Sequence, residues 1–208
     1  MNFSMNGKKI ILLALIALLL WPVLSIGSYL IYPDVASLKK RNPRKTAFME
    51  YREQEWQKQG KKKTIVQTWV SSKQISPYLQ KAVIIAEDDK FWSHEGFDFE
   101  AMQGALEKDL KKKKFKFGGS TISQQLAKNL YLSPSRSIVR KIREAVLTWR
   151  LEQTISKARI LEIYLNVVEW GDGIFGAEAA AQHYFGKSAS DLSAEEAARL
   201  ATVLPNPK

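Results

Sequence analysis

The chain has 208 residues, no cysteine and a formal net charge of +11, with 32 lysines and arginines against 21 acidic residues. This length suits one compact domain with an appendage, and the missing cysteine excludes disulfides, thiolate chemistry and cysteine-based zinc sites. The charge favours an anionic partner, which leaves nucleic acid, acidic phospholipid and a phosphorylated substrate as candidates.

A long apolar segment lies near the N-terminus. Residues 10–32 are 23 uncharged, mostly apolar residues that follow two lysines. As a helix the segment would be about 34 Å long, enough to cross a bilayer. A cleaved signal peptide is the alternative, but its apolar part is normally about 7–15 residues long. We predict a cytoplasmic tail at 1–9, a transmembrane helix at 10–32 and an extracytoplasmic remainder, although the basic residues at 39–45 oppose this orientation.

Residues 33–63 are polar and strongly basic. We interpret them as a juxtamembrane connector with a short helix at about 48–59, and each lysine or arginine near an anionic lipid surface contributes about 1 kcal/mol. A solvated linker is the alternative. Residues 64–70 are β-branched and partly alternating, and they form the one good strand candidate in a chain that otherwise has a helical pattern.

Five acidic residues and a histidine lie within residues 86–98, directly after the apolar run 83–86. A helix that begins at Ser76-Pro77 carries this run, which we expect to pack against a core. Glu87 would then lie at the edge of apolar surroundings, where a carboxyl group is suited to proton transfer. A helix end with solvated acids is the alternative. Asp98 is placed to cap the next helix.

Four adjacent lysines at 111–114 precede Phe115, Phe117 and two glycines. Like charges repel and glycine adds backbone freedom, so this pattern predicts a mobile loop. The two phenylalanines are suited to touch a membrane surface or an amphiphilic ligand, or to stack on bases.

The next helix begins with Thr121 and Gln124 in a capping-box relation. Thr121, Gln125 and Lys128 share one face, which predicts an anion or phosphate site near the helix N-terminus. A well-capped helix with a polar face is the alternative.

A long helix from about Ser137 carries Ile142 and Trp149 at core spacing. It also carries Arg140 and Glu144 four residues apart, and therefore on one face. An exposed ion pair of small energetic weight is the alternative.

Helix starts are also expected at Ser156, which is suited to cap, and at Ser193, which forms a capping box with Glu196. Glycines at 171, 173 and 176 predict a turn between these two helix starts.

Three segments together resemble the motifs of the bacterial peptidoglycan glycosyltransferases, the lysozyme-like membrane enzymes that polymerise lipid II. The first is Glu87-Asp88 followed by Phe91, His94, Gly96 and Asp98. The second is Gly119-Ser120-Thr121 with Gln124-Gln125 and Lys128-Asn129. The third comprises Arg140-Lys141, Glu144, Glu152, Ser156-Lys157, Ile160-Leu161-Glu162, Tyr164, Leu165 and Asn166. The resemblance runs in order from about residue 64 to the C-terminus.

The resemblance implies a mainly α fold: a lysozyme-like catalytic domain at 64–208 with a small, mobile, membrane-facing jaw at about 100–136. The chain resembles the monofunctional biosynthetic branch of the family. It shares with that branch the single anchor, the lack of a second large domain and sequence motifs such as Glu169-Trp170-Gly171-Asp172-Gly173. Members usually continue for another helix beyond the residues matching 205–208, so the resemblance implies either that the sequence is truncated there or that this C-terminal helix is missing.

The resemblance also assigns roles. The family joins two lipid-linked disaccharides by attack of an acceptor hydroxyl on the donor's anomeric carbon, with inversion and loss of undecaprenyl pyrophosphate. Glu87 matches the catalytic glutamate, and Glu144 matches a second glutamate that holds the basic cluster or a divalent cation. Lys128 and Arg140 match phosphate-contacting positions, with Arg136 and Lys141 as further candidates. Sugar- and phosphate-orienting positions are matched by Ser120, Thr121, Gln124, Gln125 and Asn129. Asp88, Phe91 and His94 are expected to shape the site, and Asp88 could assist Glu87.

No organic cofactor is implied, and the resemblance allows a divalent cation such as Mg²⁺. The implied partners are lipid II, the growing lipid-linked glycan, membrane phospholipids and cell-division or cell-wall synthesis proteins, but no nucleic acid. The implied location is the bacterial inner membrane, with the catalytic domain in the periplasm. Two alternatives remain: a lysozyme-like glycan-cleaving enzyme and a membrane-tethered binder of an anionic ligand.

Overall fold

The computed structural model describes residues 7–112, 119–135 and 137–204. Helices dominate it, which confirms the mainly α class. Their bounds are α1 (Gly7–Gly27), α2 (Ala47–Lys58), α3 (Pro77–Glu87), α4 (Phe99–Lys112), α5 (Ile122–Tyr131), α6 (Ile138–Thr154), α7 (Lys157–Val167), α8 (Ala177–Phe185) and α9 (Ala194–Ala201). Short strands β1 (Val66–Gln67), β2 (Glu169–Gly171) and β3 (Ile174–Phe175) form one small sheet.

Helix α5 lies at the centre of the body and packs against α2, α6 and α7. Its apolar face is buried through Ile122, Leu126 and Leu130. The predicted capping box is confirmed: Thr121 Oγ1 accepts from Gln124 N at 3.1 Å, and Gln124 Oε1 accepts from Thr121 N at 3.0 Å. The helix that carries the predicted phosphate-binding face is therefore held in the core, with a defined start.

Other helix starts agree with the sequence patterns. Asp98 Oδ1 accepts from the backbone amide three residues on at 2.8 Å, and Ser156 Oγ does the same at 3.3 Å. Ser193 and Glu196 form a capping box. Since these bonds satisfy amides that have no partner within the helix, short polar side chains determine where the helices begin.

The strand prediction was wrong in extent. Of residues 64–70, only Val66 and Gln67 form a strand, parallel to β3. Val70 is bound by Asn166 of α7 instead: its N–H donates to Asn166 Oδ1 and its carbonyl accepts from Asn166 Nδ2, each at 2.9 Å. The predicted glycine turn is an antiparallel β2–β3 hairpin, and its turn residue Gly173 has a φ of +90°.

Helix α2 agrees with the helix predicted at about 48–59 and packs on α5. Its buried Arg52 binds Glu169 of β2 with two hydrogen bonds, Nε to Oε1 at 2.8 Å and Nη2 to Oε2 at 2.5 Å. Trp56 Nε1 donates to Asp172 Oδ1 at 3.1 Å. The C-terminal half of the basic segment is thus joined to the helical body.

Helix α1 ends at Gly27 and a 3-10 turn, Ser28–Leu30, follows it, so the helix is shorter at this end than the predicted span 10–32. Within the ranges that the structure describes, no helix combines the length and apolarity needed to cross a bilayer.

The end of α1 contacts α6. Arg143 bonds to Ser25 Oγ, and its guanidinium lies 5.3 Å from the centre of the Tyr29 ring. Arg150 donates to the carbonyls of Tyr29 and Ile31 at 3.0 and 2.9 Å. Two arginines of one helix therefore hold the segment that follows α1.

Three apolar side chains expected in the core are exposed. Ile85 is 62% exposed and borders the cavity beside Glu87, and Ile142 is 43% exposed and borders a second cavity. Trp149 is also exposed, and α6 buries Leu147 and Leu151 instead. Apolar spacing alone did not distinguish core positions from cavity walls.

Candidate active site

Two cavities meet at Ser120, which lines both of them. The smaller has a volume of about 130 Å³ and is bordered by Glu87 at the end of α3. The larger has a volume of about 490 Å³, and its charged lining consists of Lys128, Arg140, Lys141 and Glu144. The fold therefore brings the acidic segment beside the cations of α5 and α6.

The Glu87 carboxylate has one oxygen held by the protein. Its Oε2 accepts from Gln125 Nε2 at 2.7 Å, and Gln125 Oε1 accepts from the Tyr164 hydroxyl at 3.0 Å. Oε1 is buried, and no donor of the described residues reaches it. One oxygen of Glu87 is thus fixed, while the other makes no hydrogen bond within the described protein.

Asp88 has both oxygens engaged. Its Oδ2 accepts from Ile122 N at 2.9 Å, and His94 Nε2 donates to its Oδ1 at 2.8 Å. The His94 tautomer follows from Gly96 N, which donates to Nδ1 at 3.0 Å. Phe91 is fully buried, with its ring edge-on to His94. These contacts tie the loop after α3 to the N-terminus of α5.

Glu144 is the centre of a buried charge cluster. Its side chain is 3% exposed, with Arg140 on Oε2 and Lys141 on Oε1. Lys141 Nζ also donates to Ser120 Oγ at 3.0 Å, and Arg140 Nε donates to Ser135 O at 2.5 Å. Because Glu144 is buried, the pair predicted on one face of α6 is not the weak exposed pair of the alternative interpretation.

Lys128 faces the same cavity from α5. Burial lowers the pKa of its ammonium; the nearby Glu144 opposes this shift, whereas Arg140 and Lys141 add to it. Its Nζ lies 5.6 Å from the centre of the Phe48 ring, and within the described ranges it has no ion pair or hydrogen bond. Three cations against one carboxylate leave a net charge of +2 on the described lining of this cavity.

The other candidates occupy different positions. Thr121 and Gln124 form the cap of α5, and Thr121 Oγ1 also donates to Gly96 O at 2.7 Å. Asn129 is buried and lines neither cavity. Arg136 lies outside the described residues, and so do Phe115 and Phe117 of the lysine-rich loop.

The residues around Glu144 do not fit a divalent cation. Both of its oxygens already bind cationic side chains. Across the described ranges, no group of three or more histidine or acidic side chains could hold a metal ion. A hard cation such as Mg²⁺ needs several oxygen ligands, and this cluster offers nitrogen cations instead.

The sequence pattern did not indicate the contact between Tyr164 and Gln125. Tyr164 was noted within a motif but was given no role in the site, and it lies 39 residues from Gln125 in the chain. Since the two residues are on different helices, no local pattern indicates the contact, and its apolar neighbours in α7 predicted only a buried position.

Comparison with known proteins agrees with the motifs. The chain matches the family model described as Transglycosylase over residues 53–208. Biosynthetic peptidoglycan transglycosylase of Azoarcus sp. is 53% identical over 200 residues, covering 96% of this chain and 84% of the relative. The proteins of that name from Dechloromonas aromatica and Aromatoleum aromaticum are each 50% identical, covering 96% and 100% of this chain and 84% and 88% of their own lengths. The chain therefore belongs to the transglycosylase family.

Proposed function

We propose that this protein is a peptidoglycan glycosyltransferase that polymerises lipid II into β-1,4 glycan strands, with inversion and release of undecaprenyl pyrophosphate. The observation that carries the proposal is the +2 cavity of α5 and α6, which adjoins Glu87 across Ser120. A leaving diphosphate needs cations, and an attacking hydroxyl needs a base, and here the two lie side by side.

In the proposed reaction, the acceptor hydroxyl attacks the anomeric carbon of the donor sugar, and Glu87 takes the hydroxyl proton. The bond between that carbon and the diphosphate oxygen breaks, and its electron pair leaves with undecaprenyl pyrophosphate. The Glu87 carboxylate is suited to receive the proton, because the residue borders the smaller cavity and Gln125 holds its Oε2 in place. General-base assistance of this kind contributes roughly 10²–10⁴-fold to the rate.

The leaving group is proposed to lie in the larger cavity. Lys128 and Arg140 would bind the diphosphate oxygens through charge-assisted hydrogen bonds, the stronger kind. Glu144 holds the Arg140 and Lys141 side chains in fixed positions, so the cations need little rearrangement when negative charge develops. Pro134, Ile138 and Ile142 add an apolar wall that suits the start of a prenyl chain.

The reaction is proposed to take place at the outer face of the bacterial inner membrane, with residues 10–27, the part of the apolar run that lies in α1, as a single-pass anchor and an inside N-terminus. The support is the uncharged run of the sequence together with the exposed apolar side chains of Leu18, Trp21 and Leu24 on α1. The mainly helical body is consistent with a lysozyme-like domain. We also propose anionic phospholipids and cell-wall synthesis or division proteins as partners. Nucleic acid is not among the proposed partners.

The proposed mechanism needs no organic cofactor and uses the protein's own cations. A glycan-cleaving, lysozyme-like activity is the competing function. It also requires a glutamate, but cleavage of a neutral glycosidic bond releases no diphosphate, so it leaves Lys128, Arg140 and Lys141 without a role.

The test is incubation of the purified protein in detergent with lipid II and, separately, with preformed glycan. We expect lipid II to be consumed and glycan strands and undecaprenyl pyrophosphate to form. Glu87→Gln should abolish this, whereas Glu95→Gln, which alters an exposed acid a few residues away, should not. Shortening of preformed glycan without consumption of lipid II would overturn the proposal.

A further inference from the structure

A chain of hydrogen bonds leads from the core to Glu87. The Tyr164 hydroxyl donates to Gln125 Oε1 at 3.0 Å, and Gln125 Nε2 donates to Glu87 Oε2 at 2.7 Å. Tyr164 belongs to α7 and is completely buried, whereas Gln125 belongs to α5 and borders the larger cavity. The proposed mechanism uses Glu87 and leaves the Tyr164 hydroxyl without a function.

The two ends of a glutamine amide are not equivalent, because its nitrogen donates and its oxygen accepts. By donating to the amide oxygen, Tyr164 turns the NH₂ group of Gln125 toward Glu87. In the reversed orientation the amide oxygen would face the carboxylate, and two acceptors would be in contact. Burial raises the pKa of the Tyr164 phenol well above its usual value, so the phenol remains a donor throughout the range in which such enzymes work.

We infer that Tyr164 is a positioning residue that acts through Gln125 to fix Glu87 Oε2, and with it the orientation of the carboxylate that takes the proton of the acceptor hydroxyl. This inference rests on the proposed function and deepens it. A hydrogen bond donated to a carboxylate favours its ionised form, which is the form that a general base needs.

Other charged groups also act on Glu87. Asp88, Asp89 and Asp98 border the same small cavity, and Lys128 of α5 interacts with Glu87 electrostatically. Asp88 is itself bound to His94. Within the described ranges, however, Gln125 is the side chain that donates a hydrogen bond to Glu87. An effect of the Tyr164 hydroxyl on the position of Glu87 should therefore require Gln125.

The test begins with Tyr164→Phe, which removes one oxygen and keeps the buried ring. The matched control is Tyr184→Phe, because the Tyr184 hydroxyl also donates to a protein acceptor, Trp170 O at 2.9 Å, but lines neither cavity. We expect Tyr164→Phe to lower kcat for lipid II polymerisation by about 2- to 12-fold, the size of one buried hydrogen bond, with KM within about twofold. The control should keep the wild-type kcat.

The deciding measurement is the double variant with Gln125→Ala. If Tyr164 acts through Gln125, Tyr164→Phe causes no further loss of kcat in the Gln125→Ala background. Losses that multiply would overturn the inference.

A readout that does not depend on activity separates this inference from the proposed function. The side-chain amide resonances of Gln125, assigned with Gln125→Ala, should shift in both Tyr164→Phe and Glu87→Gln and stay in place in Tyr184→Phe. Unshifted resonances in Tyr164→Phe would overturn the inference even if the wild type polymerises lipid II. An inactive wild type with shifted resonances would overturn only the proposed function.

Discussion

Lys128→Met removes an ammonium group from the larger cavity and keeps a side chain of similar length. Arg140 and Lys141 are paired with Glu144, whereas Lys128 has no ion pair within the described ranges. Its charge is therefore available to a bound diphosphate. We expect the substitution to impair the reaction without impairing the fold.

The expected loss follows from the size of a charge-assisted hydrogen bond, about 1.5–3 kcal/mol. Since every 1.4 kcal/mol is tenfold, kcat/KM for lipid II should fall by about 10- to 150-fold. The substitution should not destabilise the fold. Burial lowers the pKa of Lys128 and so disfavours its charged form in the free protein, which means that removal of the charge costs no stability. The free energy of unfolding of Lys128→Met should equal or exceed that of the wild type.

The lowered pKa of Lys128 also fixes the sign of a pH dependence. A bound anion stabilises the ammonium, so affinity for inorganic pyrophosphate is full while Lys128 is protonated. Affinity is lost as the pH rises through the lowered pKa of Lys128. The loss therefore begins at a lower pH than for an ordinary lysine, whose pKa is 10.5. Lys128→Met should lack this component of the pH dependence.

The assays are lipid II consumption at subsaturating substrate, pyrophosphate binding by calorimetry across a pH series, and urea denaturation. Lys187→Met is the matched control, because Lys187 pairs with Glu196 and lines neither cavity. Retention of kcat/KM within about twofold of the wild type would refute the reasoning, since one charge-assisted bond is worth more than that. A large loss of stability in Lys128→Met would refute it as well.

Three further substitutions test the scaffold. Gly96→Ala should lower the free energy of unfolding by about 1–3 kcal/mol in urea denaturation, because the residue has a φ of +91° and a Cβ would lie 2.8 Å from Glu152 Cγ; an unchanged unfolding curve would contradict this. Arg52→Leu should cost about 3–5 kcal/mol by leaving Glu169 buried and unpaired, and the double variant Arg52→Leu/Glu169→Leu should recover most of that loss. Thr121→Ala should remove about 0.5–2 kcal/mol of cap energy, and retention of full stability would argue against the cap.

The helix starts were predictable because each depends on neighbouring residues. The side-chain acceptors of Asp98, Thr121 and Ser156 bond to amides three residues on, so the pattern lies within one turn of helix. The glycines predicted the turn of the β2–β3 hairpin, but its strands were missed because they are too short to carry a hydrophobic pattern. Asp172-Gly173, a pair typical of two-residue hairpin turns, is a further local signal.

The sequence predicted the residues of the candidate site but not the hydrogen bonds that join them. Motif resemblance indicated Glu87, Lys128 and Glu144, and the fold brings their three segments to adjoining cavities. The bond from Gln125 to Glu87 joins residues 38 apart, and its geometry depends on how α3 and α5 pack. Spacing also could not reveal that Ile85 faces solvent, since an apolar run looks the same on a core and at the mouth of a cavity.

The arginines that hold the end of α1 belong to the same helix as the leaving-group cations. Arg143 lies between Arg140 and Glu144 in the sequence of α6, and Arg150 is two turns further along. One helix therefore carries both the contacts to the end of α1 and the charge cluster of the larger cavity. Any displacement of the end of α1 that moves α6 along its axis would also move Arg140 and Glu144.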